Sequence, residues 1–277
     1  MINTIIANEY FFFILLTILT AFPVGFFAGL FGIGGGLITV PFLFFVFEAL
    51  GVDKLYIMHL AVGTSFSIIV PTSFVSVYTH NKHKAVDASI IKSYATFVII
   101  GVIFGTIFAA FLNTKALILF FSIIVYLLGA YLIYLKEKVE DIQINFSLIP
   151  RIIFGFISGF ISAPMGIAGA VINVPILKYF GYSIKRAIGS AAAIGFFIAL
   201  FGAIGFLASG SFLNANLPLS IGFINIPAFL IFVPITTVMA KFGANTVHQI
   251  DKNKVTKLFG MFLFVVGSIL FYQYFKI

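Results

Sequence analysis

The sequence predicts an all-α polytopic membrane protein of two inverted repeats, each a broken-helix hairpin followed by three transmembrane helices. Three observations carry this. The 277 residues are 62% hydrophobic and 9% charged, with a mean hydropathy of +1.20, whereas soluble domains carry roughly 25% charge. One glycine- and proline-punctuated pattern occurs twice, at Gly25–Pro41 and at Gly159–Pro175. The sixteen Lys/Arg residues sit in short loops, and only one membrane topology gathers them on one side.

Composition also excludes. The chain has no cysteine, so disulfides, thiolate metal sites and thiol chemistry are ruled out. The net charge of +8 is scattered, which reads as membrane topology and not as a nucleic-acid surface. No cleavable signal peptide is expected, since the first residues are uncharged apart from Glu9. No cofactor is called for, and no carboxylate or second histidine stands at ligand spacing to a histidine, so no metal is expected.

The first repeat covers 1–140. Its opening block, 10–50, is apolar and charge-free between Glu9 and Glu48. Glycine is a poor helix former, so the run Gly32 to Gly36, with three consecutive glycines, is expected to unwind a helix. Spans follow at 56–79, 93–112 and 116–135. The mixed-charge connector Lys136–Asp141 divides the halves. The second repeat, 141–277, opens with a broken block at 150–178 and continues with spans at 187–209, 220–240 and 258–275. Aligning Pro41 with Pro175 pairs Gly25 with Gly159, Gly32 with Gly166, Gly35 with Gly169 and Thr39 with Asn173. Ala61-Val62-Gly63-Thr64 pairs with Ala187-Ile188-Gly189-Ser190, Gly105 with Gly243, and Gly129 with Gly267. The order is kept throughout, as an internal duplication requires.

Charge then decides how the halves are related. Eight single crossings divide the Lys/Arg nine to seven between the faces. If the second block instead enters and leaves on one face, loops 80–92, 136–151, 178–186 and 241–257 share a side and hold thirteen of the sixteen. The positive-inside rule makes that side cytoplasmic. Three full spans after each hairpin give an odd number of crossings, so the halves are inverted. The 26 charge-free residues 152–177, about 39 Å as helix at 1.5 Å per residue, fit either one tilted span or two half-helices.

Irregular backbone at membrane depth is tolerated only where protein or a water-filled cavity covers it, and such breaks mark binding sites in transporters. Small-residue packing between helices is the alternative use of glycine, but it does not need three in a row. Half-helices beginning after Gly36 and Gly169 would aim their N-termini, with free N–H groups and partial positive charge, at one place. That suits a small anion without a buried Lys or Arg. The candidate substrate-binding residues are therefore Gly34, Gly35, Gly36, Thr39, Gly169 and Asn173, with the hydroxyls of Thr64, Ser65 and Ser190. Ser67 is a further hydroxyl candidate. Any of these hydroxyls can alternatively bond back to its own helix. Gly32, Pro41, Gly166 and Pro175 are candidate hinge or gating positions, and Pro71, Pro227 and Pro234 are expected to kink their helices. His59, and Lys185 with Arg186, stand at span ends, where they either guide anions or anchor helices at the interface.

The pattern Gly-x-x-x-Gly-x-x-Gly-x-Gly-Gly-Gly-x-x-x-Val-Pro at Gly25–Pro41 has its echo at Gly159–Pro175. With the Ala-x-Gly-Thr/Ser elements at Ala61 and Ala187, it resembles the TauE/SafE family of sulfite-exporter-like permeases over nearly the whole chain. The second copy departs from the glycine triplet, with Ala168-Gly169-Ala170 in its place and Pro164 nearby. The resemblance implies transport of small sulfur-containing anions such as sulfite or organosulfonates, often by export from the cytoplasm. A multi-pass protein of the cell membrane is thus expected, partnered by lipid and a small anionic substrate, with a homo-oligomer left open. No Gly-x-x-x-x-Gly-Lys-Ser/Thr loop is present, so a secondary transporter is favoured over a pump. An anion channel remains the alternative within the class. An intramembrane enzyme is disfavoured, because His59 is the only deep histidine and no Asp falls inside a span. A scaffold would leave two aligned helix breaks without purpose.

Overall fold

The computed structural model describes residues 2–31, 35–134, 146–247 and 252–277. The described chain is almost all helix, in the order α1 (Ile2–Phe31), α2 (Gly36–Ala49), α3 (Ile57–Lys82), α4 (Ala88–Phe111), α5 (Thr114–Tyr134), α6 (Leu148–Met165), α7 (Ala170–Tyr179), α8 (Ile184–Phe212), α9 (Ile226–Val247) and α10 (Lys252–Lys276). Between α8 and α9, β1 (Ser220–Ile221) pairs antiparallel with β2 (Ile224–Asn225). Eight helices are long and apolar enough to cross a membrane; α2 and α7, with 14 and 10 residues, are shorter. At 1.5 Å per residue these two measure about 21 and 15 Å, short of a hydrocarbon core of roughly 30 Å.

Each expected broken block is two helices. The second breaks between Gly166, which ends α6 at φ 65°, and Gly169, which precedes α7 at φ 67°; in the first, Gly35 precedes α2 at φ 80°. Left-handed backbone at these points is what a side chain resists and glycine permits. Gly32, Gly34 and the connector 136–141 lie outside the described residues. The expected spans 56–79, 93–112, 116–135, 187–209 and 258–275 correspond to α3, α4, α5, α8 and α10, with shifted ends. α4 starts before residue 93 because Asp87 caps it, its carboxylate accepting the Ser89 N–H at 3.0 Å. The span expected at 220–240 begins instead at Ile226. Its first residues form the β1–β2 turn, where Gly222 takes φ 55° and the Asn225 side chain accepts the Ala228 N–H at 2.9 Å.

Contacts between segment ends sort these ends onto two faces. On one, Phe146, just before α6, stacks on Phe180, just after α7, with ring centroids 4.2 Å apart. There Phe146 also meets Tyr94 of α4 and Tyr182, and Arg186 approaches Asp87 at 3.8 Å. On the other, His59 meets Phe223 and Tyr56, its Nε2 lies 3.1 Å from the Ala109 carbonyl, and the Thr114 hydroxyl donates to the Leu55 carbonyl. α6 is long enough to cross, yet α7 brings the chain back to the face where α6 began. The end of α6 is buried inside the protein, with Ala163 and Met165 fully covered. α3 runs from the second face to the first, and α8 the reverse.

Glycines allow the closest crossings. A Cβ on Gly25 would lie 2.6 Å from Thr236 Cα of α9, and one on Gly159 would collide with the Val98 carbonyl of α4. One on Gly105 would lie 2.7 Å from the Phe160 carbonyl of α6, and one on Gly243 would strike the Phe26 carbonyl of α1. α1 thus packs on α9 as α6 packs on α4, through sequence-matched glycines. Without hydrophobic drive between helices in lipid, such backbone approach is a main source of packing energy.

Candidate functional site

The two breaks touch. A Cβ on Gly36, the first residue of α2, would lie 2.5 Å from the Gly166 carbonyl oxygen and 2.7 Å from Ile167 Cα. The start of one short helix therefore abuts the break of the other hairpin. From α3, the Ser65 hydroxyl donates to the Gly166 carbonyl at 3.0 Å, while Val62 and Val40 line Gly166. From α8, Gly195 lies against Ala168. Irregular backbone is in this way covered by protein on every described side.

At both breaks the capping glycine's carbonyl is used alike. The Gly35 carbonyl accepts the N–H groups of Ile38 and Thr39 at 2.9 and 2.8 Å, and the Thr39 hydroxyl at 3.0 Å. The Gly169 carbonyl accepts the N–H groups of Ile172 and Asn173 at 3.0 and 2.8 Å, and the Asn173 amide at 3.0 Å. Thr39 and Asn173, both buried, thus tie the first turn of α2 and of α7 to its cap. The N–H groups of Gly36 and Leu37, and of Ala170 and Val171, come before these bonds and have no acceptor within their own helix. Pro41 and Pro175 sit inside α2 and α7 and cannot donate to the carbonyls of Leu37 and Val171, four residues earlier.

Three residues that sequence reasoning did not single out complete the second break. Asn173 Oδ1 accepts both the Tyr94 hydroxyl from α4 and the Ser158 hydroxyl from α6, each at 2.9 Å. Ser162, one turn after Ser158, is fully buried, and its hydroxyl has no hydrogen-bond partner among the described residues. An unpaired buried hydroxyl costs about 1–3 kcal/mol. The four-residue spacing of Ser158 and Ser162 in the charge-free stretch 152–177 was the legible signal; a lone Tyr94 gave none.

Thr64 and Ser190 each hold a backbone N–H from outside the breaks. The Thr64 Oγ1 accepts the Asn225 N–H at 2.9 Å, and the Ser190 Oγ accepts the Asp87 N–H at 3.0 Å. Beside them, Gly63 and Gly189 lie directly under the carbonyls of Phe223 and Ala85. Each Gly-Thr/Ser pair therefore seats a loop from the other half of the chain, the one that leads into α9 in one case and into α4 in the other. The Ser67 hydroxyl bonds back to the Thr64 carbonyl at 2.7 Å. The Asp87 carboxyl is held below its usual range, chiefly by the Ser89 hydroxyl, with Arg186 adding a smaller pull. His59 is buried with its Nδ1 unpartnered among the described residues, whereas Lys185 is exposed.

Comparison with known proteins gives one result in several forms. The family described as "Sulfite exporter TauE/SafE" matches residues 17–270. A probable membrane transporter protein of Haemophilus influenzae is 32% identical over 260 residues, covering 94% of this chain and 98% of that protein. A probable membrane transporter protein of Methanocaldococcus jannaschii is 30% identical over 264 residues, covering 91% and 93%. No solved structure matches the chain.

Proposed function

The chain belongs to the TauE/SafE family of membrane transporters. From that premise we propose that it is a secondary transporter carrying a small sulfur-containing anion, such as sulfite or an organosulfonate, out of the cell by alternating access. The observation that carries the reading is the contact of the two breaks, Gly36 against Gly166 and Ile167. It brings the broken tip of one hairpin onto the start of the other's short helix inside the protein. A helix N-terminus binds an anion through free N–H groups and its dipole, so no buried cation is required. The residues at the breaks are all uncharged, as that scheme allows.

Alternating access follows from two halves related by a two-fold axis in the membrane plane. The matched glycine crossings and the opposite directions of α3 and α8 support this relation. The face bearing residues 85–94, 146–151 and 178–190 is the cytoplasmic one, in keeping with its Lys and Arg content. The prolines inside α2 and α7 weaken their hydrogen bonding near the tips, where movement would have to occur.

Purified protein in liposomes tests the proposal. Sulfite efflux that saturates and is accelerated by sulfite on the opposite side is the expected result. Flux that neither saturates nor shows counterflow would make the protein a channel, and no flux of sulfite or simple organosulfonates would remove the substrate class.

A further inference from the structure

We propose that Ser162 is a solute-binding residue: its hydroxyl donates to the oxyanion at the N-terminus of α7, beside an Asn173 amide that Tyr94 holds in place. The proposal rests on the reading of the breaks as the transport site and adds to it the side chains that recognise the solute.

A hydroxyl inside a helix ordinarily bonds to a carbonyl three or four residues back. Thr20, Thr72, Ser93, Thr236 and Thr237 all do so. Ser162 does not, although it is fully buried; Thr17 and Ser122 share that state, but Ser162 is the one of the three that stands against a capping glycine. Its oxygen lies 2.9 Å from the point where a side chain on Gly169 would begin, and Asn173 Nδ2 lies 3.0 Å from that same point. Gly169 caps α7, so this notch, closed by the Ile198 Cδ1 methyl at 2.7 Å, lies beside the first turn, where the Ala170 and Val171 N–H groups have no helical acceptor. A helix N-terminus, an unpartnered hydroxyl and a side-chain amide thus converge on one glycine, and a solute enters there when the far end of the Ile198 side chain swings aside.

Tyr94 and Ser158 fix the amide. Both donate to Asn173 Oδ1, which directs Nδ2 toward Gly169. One of its two hydrogens goes to the Gly169 carbonyl, leaving the other as a second donor. Tyr94 does not reach the notch itself; it is a positioning residue.

The other hairpin lacks this set. The spacings that pair Gly25 with Gly159 and Gly105 with Gly243 put Ala28 opposite Ser162, Val24 opposite Ser158 and Phe232 opposite Tyr94. Side-chain recognition of the solute therefore comes from the second half alone, while the first half supplies backbone and apolar surface.

The test uses full-length protein and sodium salts of sulfite, sulfate, phosphate and nitrate. Thermal stabilisation in detergent is read first, then KM and maximal rate in liposomes for the anions that stabilise. Expected for Ser162→Ala is loss of the anion-induced shift, a KM raised about tenfold or more, since the lost bond is to a charged group, and a maximal rate within about twofold. Its melting temperature without anion should be unchanged or higher, because a buried unpaired hydroxyl has gone. Tyr94→Phe should raise KM less, with the rate retained. An anion shift and KM in Ser162→Ala equal to wild type would overturn the assignment while leaving the transport reading intact. Equal KM for Tyr94→Phe and wild type would remove the positioning role. A wild-type protein stabilised by none of the anions would overturn both the assignment and the site it rests on.

Discussion

Replacing Gly36 by alanine tests whether contact between the breaks matters. The added carbon would lie 2.5 Å from the Gly166 carbonyl oxygen, 2.7 Å from Ile167 Cα and 3.1 Å from Ile69 Cδ1. Comfortable carbon contacts are about 3.5–4.0 Å, so close to an ångström has to be found. Ile69 can rotate away, but the two nearer atoms are backbone of the opposite tip, and Ser65 holds that backbone through the Gly166 carbonyl. Overpacking of this kind costs about 1–3 kcal/mol, which for a chain of this size corresponds to a fall in Tm of roughly 2–10 °C. The strain falls on the contact between hairpins, so sulfite flux in liposomes should fall as well. Gly51→Ala is the control. It forces a side chain onto φ 69° with no neighbour within 4 Å, adding about 1–2 kcal/mol of backbone strain in the loop after α2. It should lose stability and keep its transport. A Gly36→Ala protein with wild-type Tm and wild-type flux would refute the reasoning, as would equal effects of both variants on transport.

Thr64→Ala and Ser190→Ala should each destabilise by about 1–3 kcal/mol, by stranding the N–H of Asn225 or Asp87, with KM unchanged and Thr64→Ser close to wild type; a raised KM at unaltered stability would return these hydroxyls to the binding site. The Asp87 carboxyl sits below its ordinary value, so its contribution is complete above the unfolded pKa near 3.8 and is lost as pH falls through the lower folded value. The thermal-stability gap between wild type and Asp87→Ala should therefore be constant from pH 7 to about 5 and close toward pH 3; a gap that widens on acidification contradicts the capping account. In the cysteine-free chain, a Phe146→Cys, Phe180→Cys double variant should be bridged by a short bifunctional thiol reagent, since the rings stack at 4.2 Å; failure to cross-link, with both thiols labelling freely, would mean that α7 does not return to the start of α6.

Much of the architecture was legible because lipid makes a few signals strong. Charge-free runs pointed to helices, and the glycine triplet with its aligned echo around Gly169 pointed to breaks; the left-handed φ of Gly35, Gly166 and Gly169 is what only glycine takes without strain. The loop positions of Lys and Arg pointed to the face where Phe146 meets Phe180. Other features were not legible. One is the bond that Thr64 and Ser190 each accept: their partners, Asn225 and Asp87, lie 161 and 103 residues away in sequence, and no local pattern encodes such a pairing. Tyr94 was invisible for the same reason, since its bond to Asn173 spans 79 residues. The β1–β2 turn was hidden in an apolar stretch, where Gly222 and Asn225 end the previous segment without any charge.

What the two halves share and what they do not share have different physical causes. Glycine crossings, capping glycines and Gly-Thr/Ser seats recur at matched positions because a helix packed against backbone tolerates little else there. Ser158, Ser162 and Tyr94 stand opposite Val24, Ala28 and Phe232, and nothing in packing demands that difference, because the apolar set fills similar space. Buried hydroxyls in a membrane interior are a liability unless they are bonded. Two of the three are bonded to Asn173, and the third is left over beside the break. On the proposed reading, the polar residues gathered at the second break are those that meet the solute, while the matched glycines hold the fold.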